Sequence, residues 1–445
     1  MELTPLKYFE SLYPENTREK EIRKYLEYLK RGLSAQIIGL PGTGKSNILR
    51  LLAYNINART YHFRSYEKIM HFTYIDSSEI KNRTLFSITK FILSSLSFSL
   101  GERRMVGESI YVKNLLEEGL SLNDEDLMFQ YLKKALDYLS IEKKLSVVLL
   151  FDKFDTLVPS LTEDFFSNLS SLRNHAKYRF GTVFSLKRPL EETVDVKILS
   201  NFKDLVSGNE IYISMYDSVG IKFRLDYIEK AARNTVDKNI RNEMLTLTGG
   251  HAKLTKLSFE ALVSESDKVV NLKSYLLGQR AVAGALDEIW ESLMPGEKTA
   301  FKNNLSCEEI QNSHPYLVKT SLVTDKGISI PLFEEYIKTA IIDEQEKITY
   351  DSEKNEILKG NFAINEILSA SEFKLLRFLL ENKDKILSKD EIINSVWTDQ
   401  KTQEGVTDQA LDQIFYRLRK KIEMDPGSPK FIHTIKGQGY KFTDE

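Results

Sequence analysis

Apolar residues in the first two hundred positions alternate between two spacings. Arg18 to Gly32, REKEIRKYLEYLKRG, repeats at the three-to-four interval of a helix, and SNILRLLAYNINA does the same. Between and after them stand short unbroken apolar runs: SAQIIGL, HFTYID (His71 to Asp76), SVVLLFD and GTVFSLK (Gly181 to Lys187). A strand that is apolar on every residue has both faces buried, so strands alternating with helices predict an α/β fold with a parallel sheet covered on both sides.

The pattern changes near Asn201. After EIYISM the sequence reads as helix through Gly278, which predicts a small helical lid beside the sheet. From Gly284 a compact unit begins, and in SLVTDKGISIPLFEEYIKTAII two short strands flank the turn DKG. Asp343 to Asn355 is strongly charged and reads as a link. The chain closes on KFIHTIKGQGYKF, a hairpin turning at Gly437 and Gly439. The expected division is 1–200, 201–280, 281–342 and 346–445, without a repeat of fixed period.

Composition narrows the class without choosing a partner. With 445 residues, 42% of them hydrophobic, several cores are expected. The formal charge of −2 gives no bulk attraction to nucleic acid or membrane, so any basic surface is local. Cys307 is the only cysteine, which excludes an intrachain disulfide and fits a reducing compartment. The N-terminus lacks a secretory apolar region, and no apolar run approaches the roughly 20 residues of a membrane span. The expectation is a soluble cytoplasmic protein.

Candidate chemistry begins at Gly39 to Ser46, GLPGTGKS, which fills every fixed position of a phosphate loop between a strand and a helix. Glycines let successive backbone N–H groups curve around phosphate oxygens, and the helix adds its positive end. Gly39, Pro41, Gly42, Thr43, Gly44, Lys45, Ser46 and Asn47 are the expected nucleotide contacts. Lys45 would reach the outer phosphates, and Ser46 with Asp152, at the end of VVLLFD, would hold Mg2+.

The loop, VVLLFDKFDTL (Val147 to Leu157) and LTGGHAKLTKL (Leu247 to Leu257) together resemble the STAND and origin-recognition-like branch of P-loop NTPases, related to AAA+ proteins. The resemblance implies ATP or ADP as the nucleotide. It also implies that a GGHP-like lid turn approaches it; here Ala252 replaces the proline, and His251 is either a phosphate contact or a structural residue. The family's glutamate after the metal aspartate is replaced by Lys153, which cannot serve as a base at neutral pH without a strongly depressed pKa. Asp155 is the remaining carboxylate, although an extended strand end would aim it elsewhere. Arg188 stands where relatives carry an arginine that senses the terminal phosphate; the other reading is a surface arginine beside Pro189. Loss of a well-placed base costs about 10²–10⁴ in rate, so hydrolysis should be slow or absent.

The last eighty residues carry a second resemblance. LSASEFKLLRFLLENKDKILSKDEIINSVW, TDQALDQIFYRLRKKIE and KFIHTIKGQGYKF follow one another as in the winged helix-turn-helix effector of OmpR/PhoB-type response regulators. In the helix expected from Thr407 to Ile422, Leu411, Ile414, Phe415, Leu418 and Ile422 share one face, and Gln409, Asp412, Gln413, Tyr416 and Lys420 share the other. Gln pairs with adenine edges and Arg or Lys with guanine edges or phosphates. The expected DNA contacts are Gln409, Gln413, Tyr416, Arg417, Arg419 and Lys420, with Lys436 and Lys441 on the wing.

Together these readings describe a P-loop NTPase parallel sheet with a helical lid, a small winged-helix-like module at 281–342 that faces a protein partner, and a C-terminal winged helix. The expected function is a nucleotide-gated regulator that binds ATP–Mg and double-stranded DNA, with an assembly state that follows the nucleotide. The alternatives are an active DNA-stimulated ATPase anchored by the winged helix, such as a loader or a transposition or defence component, and a structural loop that retains ADP.

Overall fold

The computed structural model describes residues 8–199, 202–265, 271–303, 305–360, 362–397, 408–423 and 425–443. The chain forms two compact units, Met1–Tyr336 and Ile337–Glu445.

The first unit is built on a five-stranded sheet in the order β2-β3-β4-β1-β5: β1 (Ala35–Ile38), β2 (Met70–Asp76), β3 (Ser146–Asp152), β4 (Phe180–Leu186) and β5 (Glu210–Tyr212). Every pairing is parallel. One face packs Phe151, Phe154, Phe166 and Phe184 under the helices between β2 and β3, and the other packs Ile37, Leu49, Leu52 and Phe72. Burial on both faces accounts for the unbroken apolar strands.

After β5 the helices Ser218–Ala232, Lys238–Leu247 and Ala252–Glu265 form the predicted lid. Arg280–Glu291, Pro295–Lys302, Cys307–Ser313 and Pro315–Lys319 follow, then the hairpin β6 (Val323–Thr324) and β7 (Gly327–Ile328), so the turn DKG does join two antiparallel strands. Trp290, Leu322, Ile330, Leu332 and Phe333 are buried there.

The second unit opens on a three-stranded antiparallel sheet, β8 (Ile348–Asp351), β9 (Glu356–Lys359) and β10 (Phe362–Ala363). Helices Ala370–Glu381, Lys389–Val396 and Asp408–Ile422 come next, with β11 (Ile386–Leu387) between the first two. The C-terminal hairpin pairs β12 (Ile432–Ile435) with β13 (Gly439–Phe442), and β13 also pairs with β11. Gly437 and Gly439 both have positive φ, as the turn between the strands requires. Thr407, the expected first residue of the last helix, lies outside the described residues.

Candidate nucleotide site and candidate DNA-reading helix

The loop Gly39–Ser46 leaves the C-terminal end of β1, where open α/β sheets place their ligands. Gly42 and Gly44 have φ of 77° and 99°, a left-handed backbone that an L side chain resists. A Cβ on Gly42 would meet Cβ of Lys253 at 2.7 Å and Cε1 of His251 at 2.8 Å. Thr43 Oγ1 donates to the Leu40 carbonyl at 2.9 Å, closing the loop on itself. The Lys45 ammonium donates to the carbonyls of Gly39 (2.5 Å) and Leu40 (2.9 Å). Desolvation draws its pKa down to about 8, against the pull of the Asp155 and Asp152 carboxylates. This cation lacks the counter-charge its surroundings call for.

Asp152 is fully buried at the end of β3. Oδ2 accepts the Tyr74 hydroxyl at 2.7 Å, and Oδ1 accepts the Lys153 backbone N–H at 2.9 Å. Lys153 then takes a φ of 50°, so the chain turns sharply into the 3-10 turn Phe154–Thr156. The Lys153 side chain leaves the site and donates to Asp76 Oδ2 (2.8 Å) and Ser78 Oγ (3.2 Å). Because the strand ends at Asp152 instead of extending, Asp155 comes back toward the loop. Its two oxygens accept the Lys187 N–H at 2.9 and 3.1 Å, and burial raises its pKa although Lys187 and Lys45 oppose the rise.

The lid turn is bolted to the phosphate loop. His251 is fully buried; Nδ1 accepts the Leu254 N–H at 3.3 Å, so the proton sits on Nε2, which donates to the Pro41 carbonyl at 2.8 Å. Burial, with nearby Lys45, Lys253 and Arg18, lowers its pKa to about 4 and keeps the ring neutral. The Lys253 N–H donates to the Gly42 carbonyl at 3.0 Å.

Sequence reasoning missed Arg18. Its buried guanidinium donates to the Thr43 carbonyl (2.7 Å) and the Ser214 carbonyl (2.6 Å), with Glu21 at 3.2 Å and Asp217 at 3.8 Å. It ties the loop to the segment after β5. Ser214 is 196 residues from Arg18 in the chain and Thr43 is 25, and no local pattern reports either contact. Beside it a cavity of about 290 Å³ opens among Tyr13, Thr17, Gly44, Ser46, Asn47 and Ile221. Thr17 Oγ1 is buried there without a hydrogen-bond partner among the described residues.

Loop backbone, under-neutralised lysine, cavity and orphaned hydroxyl fit a nucleotide. Ser46 and Asp152 are the side chains that could hold its magnesium. Among the described residues no group of three His, Cys, Asp or Glu is placed to bind a metal, so such an ion would depend on phosphate oxygens. Arg188 faces another way: its guanidinium pairs with Glu297 of the helix Pro295–Lys302 and lies 3.8 Å from the centre of the Tyr316 ring.

In the second unit, Leu411, Ile414, Phe415, Leu418 and Ile422 of helix Asp408–Ile422 are buried, whereas Gln409, Gln413, Tyr416, Arg417 and Lys420 are exposed. Lys420 Nζ lies 5.0 Å from the Tyr416 ring centre. Arg419 is engaged inside the fold, donating to the Ile432 carbonyl (2.8 and 3.0 Å) and to Thr434 Oγ1 (2.8 Å). Asp412 accepts from Lys389 and from the Tyr440 hydroxyl. Lys436 is exposed on the hairpin turn; Lys441 lies 3.7 Å from Asp384. Glu423 receives the N–H groups of Lys430, Phe431 and Ile432, which fixes where the hairpin starts.

Residues 365–442 match the family of transcriptional regulatory proteins, C terminal. Curated relatives include the regulatory protein VirG of Rhizobium rhizogenes, 39% identical over 75 residues, 17% of this chain and 30% of that protein. Another is the phosphate regulon regulatory protein PhoB of Klebsiella pneumoniae, 28% identical over 100 residues, 22% of this chain and 41% of that protein. The chain thus spans well under half of these relatives. Solved structures similar in course are a Walker-type ATPase of Pyrococcus abyssi (15% identity, TM-score 0.40, 98% of this chain and 97% of that one) and Cdc6p of Pyrobaculum aerophilum (15%, TM-score 0.37, 79% and 91%). None of these matches supports the STAND part of the resemblance. Among the described residues no helix is long and apolar enough to cross a membrane. Residues 365–442 match the OmpR/PhoB-type C-terminal domain of transcriptional regulatory proteins, and they do so in a chain whose first unit is a five-stranded parallel sheet bearing a phosphate loop.

Proposed function

We propose that the chain is a cytoplasmic DNA-binding regulator whose first unit binds a magnesium-bound adenine nucleotide and hydrolyses the triphosphate slowly, the nucleotide governing how the second unit engages duplex DNA. The observation that carries the first half is Lys45: a cation held by two carbonyls, with a lowered pKa, in a loop whose Gly42 and Gly44 take left-handed φ. Magnesium, when bound, would neutralise the outer phosphate oxygens. Asp152 would hold it with one carboxylate whose orientation Tyr74 and the Lys153 N–H already fix. Ser46 would complete the pair of protein ligands, and His251 would keep the loop in shape through Pro41 rather than touch phosphate.

Slow turnover follows from where the carboxylates are. Lys153 occupies the position after Asp152 and is bound to Asp76. Burial raises the pKa of Asp155, and the Lys187 N–H, shared by its two oxygens, fixes its direction. A general base must lie within hydrogen-bond reach of the water it deprotonates, and this anchoring is what limits Asp155 in that role.

The second half is supported by the exposed stripe Gln409, Gln413, Tyr416, Arg417 and Lys420, with Lys436 on the adjoining hairpin. Base edges would be read by the glutamines and phosphates held by the cations. A nucleotide changes DNA binding only through unequal affinity for two arrangements of the chain. The test is full-length protein on duplex DNA at two salt concentrations with ADP or a non-hydrolysable ATP analogue. Different affinities in the two nucleotide states are expected; equal affinities would remove the coupling and leave two independent activities.

A further inference from the structure

Strand β2 is an edge of the five-stranded sheet. The Ser146 N–H donates to the Ile69 carbonyl at 2.7 Å, so His71, Thr73 and Ile75 present their backbone groups to β3, while Met70, Phe72 and Tyr74 present theirs outward. Arg103 donates to the outward carbonyl of Met70. The outward groups of Phe72 and Tyr74 find no partner among the described residues. Both residues line a groove of about 1000 Å³. Helices Lys45–Tyr54 and Ile56–Phe63 form one wall of it, and helix Leu85–Glu102 forms the other. Ile56 and Phe98, each more than half exposed, stand on opposite walls.

The two ends of the groove differ in charge. Where β2 begins, one carboxylate, Glu67, serves two guanidiniums, Arg59 at 3.2 Å and Arg103 at 3.0 Å. The neighbouring Arg104 is exposed. Glu102, on the same rim, receives the Tyr8 hydroxyl at 3.1 Å. Where β2 ends, Lys153 holds Asp76 and Arg50 stands 3.5 Å from Glu10, which leaves Glu79 exposed. Open backbone groups along a sheet edge are a template for one more strand, and edges take peptides through main-chain bonds, with the walls sorting alternate side chains. Walls on both flanks admit a single strand, whereas a second copy's sheet would bring its own helices against them. A nucleic acid would meet Glu67, Glu79 and Glu102. We infer that the free edge of β2 takes an extended peptide of a partner protein as a sixth strand, acidic over Arg103 and Arg104 and apolar where it passes Ile56 and Phe98.

The probes are two acetylated and amidated peptides, KTVTVTVED and DEVTVTVTK, which set the acidic end over Arg104 in the antiparallel and in the parallel direction. Each is titrated into the full chain. At least one should bind and slow hydrogen exchange of the Phe72 and Tyr74 amides by about tenfold. A copy N-methylated at every valine and threonine cannot pair and should bind about tenfold more weakly. Arg104→Glu should lower affinity about fivefold, by less in high salt. Ser94→Trp fills the groove from an exposed position and should abolish binding. Equal affinity for the N-methylated copy, or no protection of the two amides at about 1 mM peptide, overturns the proposal. So does an oligo-dT that binds in place of the peptides and is excluded by Ser94→Trp, or a self-association of the wild type that Ser94→Trp removes, since these give the groove to nucleic acid or to a second copy.

Discussion

The Lys153 ammonium lies 2.8 Å from Oδ2 of Asp76, joining the ends of two neighbouring strands. Asp76 and Asp152 are paired in register across β2 and β3, so the lysine that follows Asp152 turns sideways to the next strand and not toward the loop. Its partner's pKa is lowered by that bond and by Ser78, against the effect of burial. Lys153 is half exposed, and such pairs contribute less than about 1 kcal/mol. Lys153→Ala should therefore leave the melting temperature nearly unchanged, and phosphate release should stay slow because no base is uncovered. A burst of multiple turnover in this variant would show that Lys153 was suppressing a competent site.

Two buried histidines make stability depend on acid. Burial lowers His251 to about 4 and His71 to about 3, from an ordinary 6.5. Below pH 6.5 the unfolded chain takes up these protons and the folded one does not. Stability should then fall with pH through the window from 6.5 toward 4, by about 1.4 kcal/mol per pH unit for each fully exchanged proton. Urea denaturation at pH 7.5, 6.0 and 5.0 measures the slope, and His251→Gln should reduce it by one proton's worth whatever its effect at pH 7.5.

Gly249 has φ 57°, and a Cβ there would lie 2.1 Å from the Ser329 carbonyl oxygen. Gly208 has φ 78° with nothing within 4 Å of its missing Cβ. Both changes to alanine incur the left-handed backbone penalty of roughly 1–2 kcal/mol. Only Gly249→Ala should go further, pushing the lid turn away from Ser329 and weakening ADP binding through His251 and Pro41. Equal melting temperatures for the two variants would contradict the contact.

Arg417 and Arg419 are two residues apart and should fail differently. Arg417 is exposed, so Arg417→Ala should weaken DNA binding, lower the slope of log affinity against log salt by about 1, and leave folding intact. Arg419 joins the last helix to β12, and loss of its hydrogen bonds should cost about 1–3 kcal/mol of stability in the second unit. Thermal melts and DNA titrations of both variants separate the cases.

Much of this was legible in the chain because it is local. The period of SVVLLFD makes a buried strand wherever it sits, and GLPGTGKS makes a loop from the conformations of its own glycines. The apolar stripe from Leu411 to Ile422 likewise announces a helix with one buried face. Asp155 was harder: its direction depends on Lys153 adopting a positive φ, which a lysine rarely does and no pattern signals.

The sequence by itself determined the elements, the phosphate loop, the carboxylate-poor strand end and the order of the two units, since each depends on neighbours a few residues apart. Only the tertiary structure decided who faces whom: His251 with Pro41, Arg18 with Thr43 and Ser214, Arg188 with Glu297, Arg419 with Thr434. Three of these five contacts, His251 with Pro41, Arg18 with Ser214 and Arg188 with Glu297, cross more than one hundred residues. They exist because a buried charge or ring nitrogen takes whichever partner the packing brings within reach, and that choice is made in space rather than along the chain.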